Sequence, residues 1–304
     1  MRTTAYGHIH FFGMTGAVIV LYNPDFGLLE QVIEALKEQV DMICIVDNSA
    51  QDNRTMIRKA TDIEYIALNG NRGIAAAQNI GIRRLIALQC RYILLADQDS
   101  IASPHMVEEL KRRHRILSRI YDIAAIGPMP INRKTGLPYT SSHDERILRR
   151  LNHEGYEFIE AHSIISSFSL LSVEALHRTG EMNERLFIDF VDQEWCWRAR
   201  RCGLRVFIVP DLRFSHEQGR YRRHWGMGLN ISTPARLYYQ IRNLLWLARQ
   251  EISPRSWRRK NLRKMCLKII GYPLLVTPRA AYLKSIVRGL RDGLKHKQNY
   301  EREL

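Results

Sequence analysis

Asp97-Gln98-Asp99 sets two carboxylates at i and i+2 directly after the apolar run YILLA. Where a chain leaves the pleat of a strand, two such groups can turn toward one ligand. Their oxygens suit a hard divalent cation, Mg2+ or Mn2+, which keeps positions for water and phosphate and neutralises charge on a diphosphate. The same residues also fit a solvated turn before Pro104, capped by Ser100 or Ser103. Asp47-Asn48-Ser49 offers a carboxylate able to accept the imide N–H of uracil or thymine, and equally fits an Asx turn. Asn71-Arg72-Gly73 opens an Ala-rich segment that includes Gln78 and Asn79. Glycine lets backbone approach a ligand, and Arg72 with a helix N-terminus favours an anion, although a plain strand-to-helix turn has the same composition. Asp189, Asp192 and Glu194 lie among Phe187, Phe190, Val191 and Trp195. Apolar surroundings can raise a carboxylate pKa and poise a general base, while acids opening a helix also suit its dipole. His216, in Ser-His-Glu-Gln-Gly, is either a further metal ligand or a structural histidine.

Groups this far apart need a scaffold that gathers them on one edge. The β-branched or apolar runs at residues 16–21, 42–46, 64–68 and 92–96 predict buried strands, with further strands at 124–127 and 205–209. Helical spacing of apolar residues predicts helices at 28–40 and 73–88. Strands alternating with helices imply βαβ units and a mostly parallel sheet, whose ligands lie beyond the carboxyl ends of the strands. Three of these strands end in polar residues: Tyr22-Asn23, Asp47-Asn48-Ser49 and Asp97 to Ser100. Their sharing one edge suggests a nucleotide site. Residues 133–157 read as a surface excursion.

The chain of 304 residues carries a net charge of +15. Residues 236–304 hold 17 Lys/Arg against 4 Asp/Glu, so +13 of that charge lies in the tail and the first 235 residues are nearly neutral. The division predicts a catalytic domain at 1–235 and a basic helical extension at 236–304. At 281–294, Leu283, Ile286, Val287, Leu290 and Leu294 keep helical spacing, with Lys284, Arg288 and Arg291 on another face. This is the pattern of a helix on an anionic membrane surface, with Trp246 and Trp257 suited to the interfacial zone. Two helices packed on the domain with a solvated basic face would give the same pattern. A basic nucleic-acid-binding protein is the competing class, since aromatics interleave with the basic residues, but nucleic acid is the less favoured partner. Five scattered cysteines without a CxxC pair suit reduced cytosolic thiols. No secretory signal and no run of 18 apolar residues is found.

The order of these pieces over residues 16–250 resembles glycosyltransferase family 2, and the wording NRGIAAAQNIGI, ADQDS and FIDFVDQEWCWRA looks most like its bacterial rhamnosyltransferase branch. The resemblance implies a GT-A fold, an α/β nucleotide-diphospho-sugar transferase architecture with a mixed, mostly parallel sheet flanked by helices. It implies that Asp47 reads the pyrimidine base, that Asp97 contacts the ribose or the metal shell, and that Asp99 is the main metal ligand with His216 nearby. Asp192 matches the general base. Val191 stands where the family pattern has a first acid, so the Asp-x-x-Asp-x-Glu spacing leaves Asp189 as the other candidate. Further implied are a nucleotide-sugar donor, dTDP-L-rhamnose ahead of UDP-GlcNAc or UDP-galactofuranose, and a lipid-linked oligosaccharide acceptor. Together with the basic tail, that acceptor implies a peripheral location on the cytoplasmic face of the bacterial plasma membrane. Self-association is left open. A nucleotidyltransferase is disfavoured, because Tyr22-Asn23-Pro24 follows the first strand where a Gly-rich basic signature would stand.

Overall fold

The computed structural model describes residues 13–57, 61–133, 136–138, 147–216, 221–224 and 227–295, with the side chains of 216, 221–224 and 227–230 left aside. The first half alternates β1 (Thr15–Leu21), α1 (Phe26–Lys37), β2 (Met42–Asp47), β3 (Ile63–Ala67), α2 (Ile74–Ala87), β4 (Tyr92–Asp97) and α3 (Met106–Ser118). Then come β5 (Ile123–Asn132), β6 (Ile147–His153), β7 (Tyr156–Ala161), β8 (Ser169–Ser172), α4 (Val173–Thr179), α5 (Val191–Arg201) and β9 (Arg205–His216). A hairpin of β10 (Tyr221–His224) and β11 (Met227–Asn230) leads to α6 (Pro234–Ala248), α7 (Arg255–Leu275) and α8 (Arg279–Lys295).

Nine strands form one sheet in the order β3-β2-β1-β4-β8-β5-β9-β7-β6. The pairs β3–β2, β2–β1, β1–β4 and β5–β9 are parallel, and β8 runs antiparallel between β4 and β5. Alternate residues serve opposite faces, as the period of a strand requires. Val18, Val20, Cys44 and Val46 pack toward α2 and α5, whereas Ala17, Ile19, Ile43 and Ile45 pack toward α1 and α3. Burial on both faces explains why these strands read as continuous apolar runs. Helix α1 starts where the Asp25 side chain accepts from the Leu28 amide, and buries Leu29, Val32, Ile33 and Leu36. Gly81 brings α2 close to β1: a Cβ there would meet Val18 Cγ1 at 2.5 Å.

Several expectations change. Residues 133–157 contain β6 and the start of β7, which extend the sheet beyond β9. Strand β6 is largely exposed, so its sequence ILRRLNH carries no apolar run to announce it. The strand expected at 205–209 continues to His216, paired with β5 through a register shift between Pro128 and Met129. The helical extension packs on the domain. Leu237, Ile241, Leu244, Leu247 and Trp257 belong to the same core as the α2–α5 face of the sheet. Trp257 is therefore a core residue and not an interfacial anchor: it is 3% exposed, meets Phe190 and Trp197 edge-on, and donates to Gln193. All five cysteines are free thiols.

Candidate active site

The carboxyl ends of β1, β2 and β4 are tied into one platform by side chains reaching between neighbouring loops. Gln98 accepts from the Tyr22 amide at 2.8 Å and donates to the Tyr22 carbonyl, joining the ends of β4 and β1. Asn23, at φ +48°, donates from its backbone to Ser49 Oγ. Asn48 donates to Asn71 and accepts from the Arg72 amide at 2.7 Å, drawing the 69–73 loop onto the end of β2. Asn71 also accepts from the Gly73 amide. The Tyr22 ring and the Arg72 side chain remain exposed along this edge. Gly73 has φ +88°, and a Cβ on it would lie 2.7 Å from the Phe187 carbonyl oxygen, so this turn admits only glycine without a shift.

Asp47, the expected base contact, also folds the loop that follows β2. It is buried, and accepts from the Ser49 amide, the Asn53 amide and side chain, and the Tyr65 hydroxyl. Burial raises its pKa, but the hydrogen bonds from Tyr65, Ser49 and Asn53 outweigh that and hold it below the usual carboxylate range. Oδ2 takes three of these bonds in folding the 48–53 loop, and among the described residues Oδ1 takes only that from Ser49. Asn79 departs from expectation. Buried on α2, it exchanges hydrogen bonds with the Met182 backbone and donates to Glu184, so it fixes the segment ahead of α5 instead of facing the strand ends.

Asp97 and Asp99 stand where β4 ends, Asp99 exposed and Asp97 accepting a short hydrogen bond from Ser167. Among the described residues no three His, Cys, Asp or Glu side chains converge on one point. Two carboxylates fit an Mg2+ or Mn2+ that takes its other oxygens from diphosphate and water, so the donor set suits the expected cation. His216 closes β9 in register with Asn132, and its side chain lies outside the described residues.

The acidic segment before α5 divides its three carboxylates. Glu194 is fully buried and accepts a fork from Arg198, which also donates to the Thr179 and Glu181 carbonyls. It is a structural ion pair, and its expected catalytic role falls away. Asp189 accepts a bidentate fork from Arg236 of α6, at 2.8 and 3.0 Å. Asp192, in the first turn of α5, lines a small cleft with Gln78, Ser166, Ser169, Trp195 and Cys196. The segment 166–169 thus borders Asp192 on one side and holds Asp97 through Ser167 on the other. Burial pushes the Cys196 thiol up to about 12, which disfavours the reactive thiolate at neutral pH.

This segment is held in an unusual backbone. Phe187, Asp189 and Phe190 all have φ between +65° and +67°, a region costing roughly 1–3 kcal/mol for such residues unless the surroundings impose it. Helix α6 imposes it. Asn243, fully buried, donates to the Leu186, Ile188 and Asp189 carbonyls, and Arg242 donates to the Arg185 and Leu186 carbonyls. Tyr239 stacks on Phe187 at 4.5 Å. Sequence reading missed these α6 residues, along with Gln98 and Ser167. One signal was available: Asn243 is a polar residue among the apolar positions of an amphipathic helix.

Comparison with known proteins supplies the family. The model of glycosyl transferase family 2 matches residues 17–180. The chain belongs to glycosyltransferase family 2. This transferase is 32% identical over 289 residues to dTDP-rhamnosyl transferase RfbF of Shigella flexneri, covering 92% of this chain and 95% of that one. That likeness agrees with the rhamnosyltransferase branch the sequence resembles. It is also 23% identical over 265 residues to the low-salt glycan biosynthesis hexosyltransferase Agl10 of Haloferax volcanii, 83% of this chain and 82% of that one. Among solved structures, S. aureus TarS 1-349 in complex with UDP-GlcNAc superposes with a TM-score of 0.55 at 14% identity, covering 92% of this transferase and 80% of TarS 1-349. GalNAc-T7 with UDP, GalNAc and Mn2+ gives a TM-score of 0.55 at 14% identity, over 87% of this chain and 57% of that one. These likenesses establish the GT-A fold.

Proposed function

We propose that the transferase moves L-rhamnose from dTDP-L-rhamnose, with inversion and metal dependence, onto a hydroxyl of a growing lipid-linked cell-surface polysaccharide such as an O-antigen. The observation that carries the chemistry is the division of the acids. Asp189 and Glu194 are held in arginine forks, while Asp192 borders the cleft beside the Asp97-bearing segment. The acceptor's proton passes to Asp192 as the acceptor oxygen bonds to the anomeric carbon. The bond from that carbon to the diphosphate breaks on the opposite side, and the nucleoside diphosphate leaves with the electron pair. Asp97 and Asp99, with His216, would hold the Mg2+ or Mn2+, which when bound neutralises charge on the diphosphate. Arg72, at the mouth of α2, adds positive charge for the same group. Tyr22, Asn23 and the loop folded by Asp47 receive the nucleoside, and Asn71 and Gly73 shape the turn below it. The full-length likeness to a dTDP-rhamnosyl transferase supports the donor. A lipid-linked acceptor places the enzyme at the cytoplasmic face of the plasma membrane. The placement proposed is peripheral; no described helix is long and apolar enough to cross a membrane.

The test incubates purified protein with Mg2+ and dTDP-rhamnose, UDP-GlcNAc or UDP-galactofuranose, with and without a lipid-linked glycan extract as acceptor. Cation-dependent release of dTDP is expected. Greater release from a UDP-sugar overturns the donor, and no release from any donor overturns the reading.

A further inference from the structure

The tail helices spend one face on the domain and leave the other uncovered. On α8, Tyr282, Ile286, Gly289 and Gly293 are buried; a Cβ at Gly289 would sit 3.0 Å from Ile241 Cβ, and one at Gly293 2.8 Å from a Leu245 methyl. This turns Leu283, Val287 and Leu294 outward. On α7, Leu267, Ile270 and Leu274 also point outward, and the six are 53–72% exposed. At about 100° per residue, the three on α8 fall within roughly 40° of one another, and the three on α7 within roughly 60°. Leu275, half exposed, ends α7 beside the 276–278 corner that leads to α8. Monomeric soluble proteins rarely show apolar stripes like these without a partner.

The charge beside the stripes selects the partner. Lys284, Arg288, Arg291 and Lys295 lie about 80–140° round α8 from Leu283, and Arg259, Arg263 and Lys264 are exposed on α7. Asp292 is the sole acid in residues 252–295, and it is held by Arg291 and Tyr238. An apolar strip with a cationic flank fits the boundary between acyl chains and anionic headgroups. A single-stranded nucleic acid would need exposed aromatic rings to stack on, but Trp257, Tyr272 and Tyr282 are each at most 8% exposed.

We infer that the uncovered face of α7 and α8, centred on Leu267, Ile270, Leu274, Leu283 and Val287, is the surface by which this protein docks on an anionic phospholipid bilayer. The inference rests on the peripheral placement proposed above and gives it residues. Helix α6, which holds the strained loop, packs directly on α8, so one helix layer separates the docked face from that loop.

The experiment sediments full-length protein with vesicles of phosphatidylcholine alone or mixed equally with phosphatidylglycerol. It compares the wild type with Leu274→Ser/Leu283→Ser/Val287→Ser and with Arg288→Glu/Lys284→Glu, and records circular dichroism and dTDP release alongside. Binding to the anionic vesicles only is expected, at least tenfold weaker in both variants, with helicity and dTDP release unchanged. Absence of vesicle binding, or equal binding by the variants, overturns the inference. So does a wild-type dimer that the serine variant dissociates, which would make the face a protein interface. Vesicle binding without nucleoside diphosphate release from any donor leaves this inference standing and removes the proposed reaction instead.

Discussion

An aspartate can accept a proton or anchor a loop, and its neighbours decide which. Asp189 has the Arg236 fork on its carboxylate and the Asn243 amide on its carbonyl, so removing its charge disturbs geometry before chemistry. Asp192 borders the cleft. Asp192→Asn is therefore expected to lower kcat by about 10^2–10^4, the range for loss of a general base, with dTDP binding by calorimetry unchanged. Asp189→Asn should give a milder fall in kcat together with a lower melting temperature. The reverse ranking would move the base to Asp189. At this scale the sequence showed which residue types were present, but not which carboxylate an arginine from a segment 47 residues away would claim.

Among the elements, α6 departs most from its sequence description. Its arginines and apolar spacing read as part of a membrane-facing tail, yet the helix holds the acidic segment in its left-handed backbone. Thr233 caps it, and Leu237, Ile241, Leu244 and Leu247 bury its face. Asn243→Leu takes this donor from the Ile188 and Asp189 carbonyls, while Leu186 keeps Arg242; the loss costs about 1–3 kcal/mol where such groups stay buried and loosens the loop that leads into α5 and Asp192. Urea denaturation should show that loss, and steady-state kinetics should show kcat falling more than the donor KM rises. A variant with lowered stability but wild-type kcat would show that α6 holds the fold and not the site. The strands, by contrast, were legible because two-sided burial leaves continuous apolar runs. Strand β6 was not, because its side chains face water.

Across the whole molecule, stability should depend on pH through a residue far from chemistry. His114 is buried on α3 against Tyr92, and neither ring nitrogen has a hydrogen-bond partner. Burial lowers its pKa from 6.5 to about 4. Between those values the unfolded chain binds a proton that the native state refuses, so stability is lost as pH falls from 6.5 toward 4. The loss at pH 5 should be about 2 kcal/mol. The carboxylates held low, Asp47 and Glu160, add stability that is lost only further down, as pH falls through their folded-state values. His114→Phe keeps the ring packing and should flatten the difference in urea midpoint between pH 7 and pH 5. An unchanged pH dependence in that variant would show that other groups govern the acid limit.

What the sequence determined by itself is the alternation of strands and helices through β4, the polar strand ends, the acidic segment and the basic tail. These depend on local periodicity and on residue type, which a linear chain displays directly. Only the tertiary structure decided the division of labour. Asp47, Asn79 and Glu194 turned inward to fold loops and pair with buried groups, Asp189 met Arg236, and Asp192 came to line the cleft. In the tail, packing on α6 consumed Ile286 and turned Leu283 and Val287 outward. Those outcomes depend on contacts across tens of residues, and a side chain's hydrogen-bond partners and exposure exist only once distant segments have packed.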